Sequence, residues 1–541
     1  MSLAPTPRSG RRTFLAALGG GALGLAATGI GPVAHAAAPG RAARATRAEV
    51  RPGAWEEPTA VKRALRGVWI ASVANIDWPS APGLPAERQR AEFTALLDRA
   101  VAINLNAVFV QIRPTADAFW PSPFEPWSQW LTGTQGQDPG WDPLEFMVGA
   151  AHERGLALHA WFNPYRVSTQ PDATRLAPGH PARRHPDWTA VHNGGLYYNP
   201  GVPAARAFVQ QAMLDAVIRY EIDGVHFDDY FYPYPAAGQE FPDDAAFAAY
   251  GRDFEHRADW RRYNVDLMVR QMSDLIRAAR PEAAFGISPF GVWRNASTDP
   301  AGSATAAFES YDGLYADSRG WVRRGWLDYV APQLYWHLGH PSADYGTLAH
   351  WWAAQTAGTD TQLWVGQASY RAGAAGQAAA WQDPAELSRH LTLNAGLTTT
   401  AGLPAVGGDI LFSARDLAAD RIGSISRLAA DHWQRPVLGP LLPRLSAGAG
   451  PGTPQVRAQG SELVIAPGPD GPPPFQYAVY RYAGDPGPLP PADPALLATL
   501  LPAATADRYR DADPGEDLRY AVTAVDRAGR ESAPSPVVGP L

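Results

Sequence analysis

The sequence predicts an α/β protein: a (β/α)8 TIM-type barrel followed by a small all-β sandwich. Three observations predict it. Between residue 65 and about residue 435, eight short apolar runs alternate with segments of helical character, the signature of parallel strands closing into a barrel. Beyond Gly448 to Gly452 the pattern changes to short strand-like runs separated by Pro, Gly and Asp turns. All 19 Trp residues lie at or before Trp433, so the two regions also differ in composition.

Residues 1–36 read as an export signal. Arg11-Arg12-Thr13-Phe14-Leu15 opens an apolar Ala/Gly/Leu run that reaches Ile30, and Ala34-His35-Ala36 supplies the small residues of a cleavage site. The arginine pair resembles a twin-arginine signal, which carries folded proteins. A secreted or cell-wall-associated protein is expected, with no integral membrane segment after signal removal. Residues 37–60, rich in Ala, Arg and Pro, read as a flexible leader.

The barrel is expected over 61–437. Its strands are the runs 66–72, 107–113, 156–163, 224–230, 285–289, 329–335, 363–368 and 409–413. Helical spacing marks 87–103, where Phe93, Leu96, Leu97 and Ala100 share a face, and likewise 204–220 and 263–279. The chain is longest after the second, third and fourth runs, in segments rich in Pro, Gly and Trp. Those segments follow strand C-termini, where barrel active sites are built. A linker is expected at 438–452 and the sandwich at 453–541, with strands at 462–466, 476–480 and 519–525. Residues 520–532 resemble the last hairpin of a fibronectin type III domain, with Tyr520 as its corner tyrosine. A sandwich without Trp suits spacing or cell-surface contact better than sugar stacking.

Composition narrows the chemistry. The 541 residues are 46% hydrophobic and 18% charged, enough for a large core. The absence of Cys excludes disulfides, thiolate metal sites and a cysteine nucleophile. A net charge of −7 argues against broad nucleic-acid binding. No phosphate-binding glycine loop, dinucleotide fingerprint or serine nucleophile elbow is present in the barrel. His226 and Asp228 are too few ligands for a metal site, so neither metal nor cofactor is expected.

The most informative strand is Asp223-Gly224-Val225-His226-Phe227-Asp228-Asp229-Tyr230. Alternation turns Val225 and Phe227 to the helix layer and His226, Asp228 and Tyr230 inward. A carboxylate at the inward C-terminal end of the fourth strand sits in the catalytic mouth, and a buried acid is expensive unless paired or functional. Asp229 points away if the strand stays regular. Other strand ends add polar and aromatic groups: Trp69, Asp77 and Trp78; Gln111, Arg113 and Asp117; Asn163, Tyr165 and Arg166. Trp293 and Arg294 follow the fifth run and Gln333, Tyr335 and Trp336 close the sixth; Ser288 and Gln367 are further polar groups at strand ends. Amides, Arg, carboxylates and rings together suit a polysaccharide, whose hydroxyls take polar contacts and whose C–H faces stack on rings.

At these strands the sequence resembles the bacterial glycosyl hydrolase-like ten family. The resemblance rests on Arg66-Gly67-Val68-Trp69-Ile70, Asn75-Ile76-Asp77-Trp78-Pro79, and Val110-Gln111-Ile112-Arg113-Pro114 running to Asp117. It continues through Ala160-Trp161-Phe162-Asn163-Pro164-Tyr165-Arg166, Gly224 to Pro233, Ile287-Ser288-Pro289-Phe290-Gly291 and Ala331-Pro332-Gln333-Leu334-Tyr335-Trp336. It implies a TIM-type barrel, hydrolysis of glycosidic bonds, and a role on cell-envelope glycans such as peptidoglycan strands. Such hydrolysis ordinarily needs two carboxyls. By analogy with other barrel glycosidases, Asp228 is the nucleophile or oxocarbenium stabiliser. Asp229 and Asp117 are the candidate acids, and an Asp228–Asp229 pair suits a substrate-assisted route on N-acetylated glycans. The alternative is a secreted glycan-binding protein that keeps the barrel without chemistry.

Overall fold

The computed structural model describes residues 61–484 and 494–541. The export signal (1–36) and the leader (37–60) lie outside the described residues. The eight runs are eight strands: β1 Leu65–Ile70, β2 Ala107–Arg113, β3 Ala157–Phe162, β4 Gly224–Phe227, β5 Ala284–Ile287, β6 Tyr329–Val330, β7 Gln362–Gln367 and β8 Gly408–Leu411. Each pairs in parallel with the next, and β8 pairs with β1 to close the barrel. The strands read as continuous apolar runs because both faces of this sheet are covered.

A helix follows each strand: α1 Ala86–Ala102, α2 Pro143–His152, α3 Pro203–Arg219, α4 Arg257–Ala279, α5 Ser318–Arg323, α6 Tyr345–Thr356, α7 Glu386–Gly396 and α8 Ser424–His432. Helix α1 buries Phe93, Leu97 and Ala100, the stripe its spacing predicts. Helix α2 starts where the Asp142 carboxylate accepts from the N–H groups of Leu144 and Glu145, with Pro143 in the first turn. Helix α4 begins earlier than its periodicity indicates, because Trp260 joins the buried stripe.

Aromatic rings fill the barrel. Tyr329 stacks on Trp364 with centroids 3.8 Å apart, and Phe109 on His159 at 4.5 Å. Glycines on neighbouring strands make the room: a Cβ at Gly224 would lie 2.3 Å from the His159 ring, and one at Gly286 2.2 Å from Tyr329. The interior is therefore packed core, and ligand can bind only at a rim.

Strands β9 Gln455–Gln459, β10 Glu462–Ala466, β11 Gln476–Ala483, β12 Leu497–Pro502, β13 Arg508–Tyr509 and β14 Leu518–Val525 form two antiparallel sheets, β9–β10–β13 and β12–β11–β14. Between the sheets, Tyr477 and Val479 of β11 meet Leu463 and Ile465 of β10. On the other face of β11, Ala478, Tyr480 and Tyr482 pack with Leu438. The central strand is thus buried on both sides. The Tyr520 hydroxyl donates to Asp511 Oδ2 at 2.7 Å.

Segment 438–452 runs beneath the barrel, where Leu442 and Leu445 join Leu65, Ala107 and Ala284 in one apolar cluster. Three ion pairs fasten this floor: Arg527 to Asp223 at 2.9 Å, Arg444 to Asp328 at 2.7 Å and Lys62 to Glu531 at 2.7 Å. Among the described residues no helix is long and apolar enough to cross a membrane.

Candidate active site

Strand β4 ends at Phe227, and the chain leaves its pleat with Asp228 and Asp229. The expectation that Asp229 points away holds only for a regular strand. With pairing finished at Phe227, alternation no longer governs Asp229, and its carboxylate turns to the mouth beside that of Asp228. Both residues are 5% exposed.

Their surroundings differ. Asp228 accepts hydrogen bonds from Asn163 Nδ2 at 2.5 Å, Trp161 Nε1 at 3.2 Å and the Tyr230 N–H at 3.0 Å. Arg166 supplies the nearby positive charge. Its guanidinium lies 5.1 Å from the centre of the Tyr230 ring and its Nε donates to the Pro114 carbonyl. Asp229 accepts from Gln333 Nε2 at 3.0 Å and from the Tyr234 hydroxyl. Tyr335 stacks on Phe412 at 5.9 Å, within the field of both aspartates.

Burial pushes both carboxyls upward. For Asp228 the Arg166 charge and three donors oppose that push. For Asp229 the charge of Asp228 adds to burial, and the carboxyl is pushed up to about 7. Burial and mutual repulsion both act against ionising the two carboxyls together. Donors meet both carboxyls, but the Arg166 charge favours ionisation of Asp228, and the charge of Asp228 disfavours a second one on Asp229. Burial also raises the hydroxyls of Tyr230, Tyr234 and Tyr335, so they stay neutral.

Of the residues expected to bind substrate, Asn163, Arg166, Tyr230, Gln333 and Tyr335 gather at this pair. Trp336 lies one ring further out, packed on Phe290 at 5.6 Å, and Phe290 in turn meets Tyr234. The others make their contacts away from the pair. Trp69 and His226 belong to the packed interior below the pair: Trp69 Nε1 donates to His226 Nε2 at 3.1 Å, and burial keeps His226 neutral. Trp78 is fully buried against Phe93 and donates to the Gln89 carbonyl, because α1 folds over it. Asp77 ties two loops together, accepting from the Ala71 and Arg415 N–H groups and the Ser413 hydroxyl.

Arg113 is fully buried in a two-bond ion pair with Glu125 and also donates to the Asn163 carbonyl. It holds up the loop after β3 through the Asn163 and Pro164 carbonyls. Asp117, a candidate acid, is sealed by Ser128, Thr115 and Gln135; burial pushes it up to about 7, but it makes no hydrogen bond to the pair. Tyr165 is enclosed with no partner for its hydroxyl. Trp293 donates to Asp317 and stacks on Trp351 in the helix layer, and Arg294 is held by Asp299 and Asp312. Gln111 is fully buried one step behind Asn163. Gln367 faces the helices, donating to Tyr345 and Asp409.

Two site residues escape sequence reasoning. Trp161 lies two positions before Asn163, on the same face of β3, so alternation is the signal that could have found it. Tyr234 lies beyond β4 between Pro233 and Pro235, and only the fold returns it to Asp229.

Residues 64–383 match the glycosyl hydrolase-like 10 family. The chain is 45% identical over 486 residues to glycosyl hydrolase YngK of Bacillus subtilis (strain 168), covering 87% of this chain and 92% of that protein. It is 37% identical over 390 residues to glycosyl hydrolase DigH of Escherichia coli (strain K12), covering 67% of this chain and 87% of that one. The glycoside hydrolase domain of PgaB (BpsB) from Bordetella bronchiseptica superposes with a TM-score of 0.43 at 13% identity, over 68% of this chain and 98% of that one. With two neighbouring acids at the mouth of a closed barrel and a match across that barrel, the chain belongs to the glycosyl hydrolase-like 10 family and is a glycoside hydrolase.

Proposed function

We propose that the protein is an exported hydrolase of N-acetylated cell-envelope glycans, peptidoglycan strands foremost, and that the substrate's own acetamido group is the nucleophile. One observation carries this reading: the two adjacent acids leave one strand end together and face the same mouth, Asp228 tied to Asn163 and Asp229 to Gln333. A retaining or inverting pair flanks the scissile bond from two sides. Adjacent acids on one side suit a route in which the substrate brings the attacking oxygen.

In this route Asp228 accepts from the acetamide N–H and orients the amide. The acetamide oxygen attacks the anomeric carbon as the glycosidic C–O bond breaks, and Asp229 gives its proton to the leaving oxygen. Water then opens the cyclic intermediate and returns a proton to Asp229. Trp161, Tyr230 and Tyr335 supply ring faces and Arg166 a charge beside the sugar. Export by the twin-arginine route belongs to the same reading, supported by Arg11-Arg12-Thr13-Phe14-Leu15. So does cell-surface contact through the sandwich, for which strand β9 is largely exposed.

The test is reducing-end release from purified cell-wall glycan before and after chemical N-deacetylation. The acetylated glycan is cut and the deacetylated glycan is not. Equal cleavage of both would remove the acetamido route.

A further inference from the structure

Gln111 does not reach solvent, and its amide bridges the end of β1 to Asn163, the residue beside the acid pair. The N–H groups of Ser72 and Val73, at the end of β1, both donate to its Oε1, at 3.0 and 2.9 Å. Main-chain N–H groups only donate, so the atom facing them must be the amide oxygen. The Gln111 NH2 group is thereby aimed at Asn163 and donates to its Oδ1 at 2.6 Å. With its oxygen occupied, Asn163 has only its own NH2 left for Asp228, at 2.5 Å. Ser72 closes the arrangement, its hydroxyl donating to the Gln111 carbonyl at 2.7 Å. Each member fixes the orientation of the next, from a rigid strand end to the reacting carboxylate.

We propose that Gln111 is a positioning residue for glycoside hydrolysis, a directional link that, through Asn163, obliges Asp228 to act as hydrogen-bond acceptor. This deepens the reading of Asp228 as anion and Asp229 as acid, and it rests on that reading. The charged and titratable groups facing the pair are Arg166, Tyr230, Tyr234 and Tyr335. Gln111 acts behind them, carrying no charge and touching no substrate. A reversed Asn163 would present its oxygen to Asp228, and only a protonated Asp228 would satisfy that oxygen.

The test is Gln111→Glu. It keeps the size and the oxygen that accepts from both Ser72 and Val73, but loses the donor to Asn163. At pH 7 kcat falls about tenfold while KM stays within about twofold, because orientation is lost and sugar contacts are not. As the pH drops and the introduced carboxylate takes up a proton, it donates again and the deficit narrows. Gln111→Met adds no charge and removes the donor together with the acceptor for Ser72 and Val73, and it shows the fall in kcat without low-pH recovery.

A second readout needs no substrate. Carboxyl 13C titration in aspartate-labelled protein, assigned with Asp228→Asn, shows Asp228 moving up by about one pH unit in either Gln111 variant. Wild-type pH–rate profiles, or an unmoved Asp228 titration, overturn the proposal. Turnover by Asp229→Asn sinks the underlying reading instead. An inactive Asp229→Asn beside unchanged Gln111 variants sinks only the role of Gln111.

Discussion

Strand β4 has an aspartate just outside each end, and the two are held in opposite ways. At the floor, burial works against ionisation of Asp223, but His152 at 2.8 Å, Arg527 at 2.9 Å and the Leu158 N–H at 2.7 Å outweigh it. The Asp223 carboxyl is held well below its usual range and fastens the sandwich to the barrel. At the mouth, Asp228 has the charge of Arg166, whereas Asp229 faces burial and the charge of Asp228 and is pushed up to about 7. One residue type, a few positions apart, becomes a permanent anion or a proton store according to the number of cations that meet it. Stability is invested at the floor, and chemical reactivity is retained at the mouth.

The largest expected effect breaks the mouth alone. Asp228→Asn and Asp229→Asn each lower turnover about a thousandfold or more while the protein stays folded, read as reducing-end release beside a thermal melt. Wild-type turnover in either variant would erase the distinction between the two ends. Next comes the floor. Arg527→Ala strips Asp223 of one partner and leaves Glu221 with Arg280 alone. The loss is about 2 kcal/mol, less than for a fully enclosed pair because the Arg527 side chain is 23% exposed. A urea midpoint shows the loss, and kcat per folded molecule stays unchanged.

The two ends are also unequally legible in the sequence. The barrel is readable because eight parallel strands, covered on both faces, must be apolar throughout, and the breaks between them carry turn residues. Asp228 is readable because it directly follows the last paired residue, Phe227, and keeps the direction alternation gives it. Asp229 defeats the same rule because β4 stops one residue before the pair, and that stop leaves no trace in composition. Arg113 and Asp117 illustrate a second limit. A polar residue at a strand end looks the same whether it faces ligand or a loop folded over it, and Glu125, twelve positions on, is what seals Arg113. The floor is illegible for a related reason: Arg527 and Asp223 lie in different domains, and spacing carries no information about such a contact.

A third test uses pH to separate the ends by sign. Asp229 has a folded pKa raised from 3.8 to about 7, so ionising it costs the fold. That cost is absent below about pH 4, grows up to about pH 7 and persists above. Asp229→Asn therefore melts at a higher temperature than wild type at pH 8, by the equivalent of about 1–2 kcal/mol, and matches it at pH 4. Asp223 has a lowered pKa, so its contribution is complete above 3.8 and disappears as the pH falls further. Asp223→Asn is less stable than wild type at pH 7, and the gap closes in acid. The same sign of pH dependence in both variants would refute the contrast.

The smallest expected effect sharpens the mouth itself. Tyr234→Phe removes one hydroxyl from Asp229 and leaves the ring where Phe290 and Phe308 pack against it, with centroids at 6.3 and 5.5 Å. Stability should hardly change. The lost bond had favoured the ionised carboxyl, so without it Asp229 keeps its proton to a higher pH. A general acid works only while protonated, so if Asp229 is that acid, turnover of the wild type is expected to fall as the pH rises past about 7. In Tyr234→Phe that alkaline limb moves up by about half a pH unit, with kcat on the plateau within about threefold of wild type. A limb that stays in place while Asp229→Asn is inactive would mean that the group titrating in catalysis is not Asp229. The proton store would then belong to Asp228, and the order of donors around the pair would have to be read in reverse.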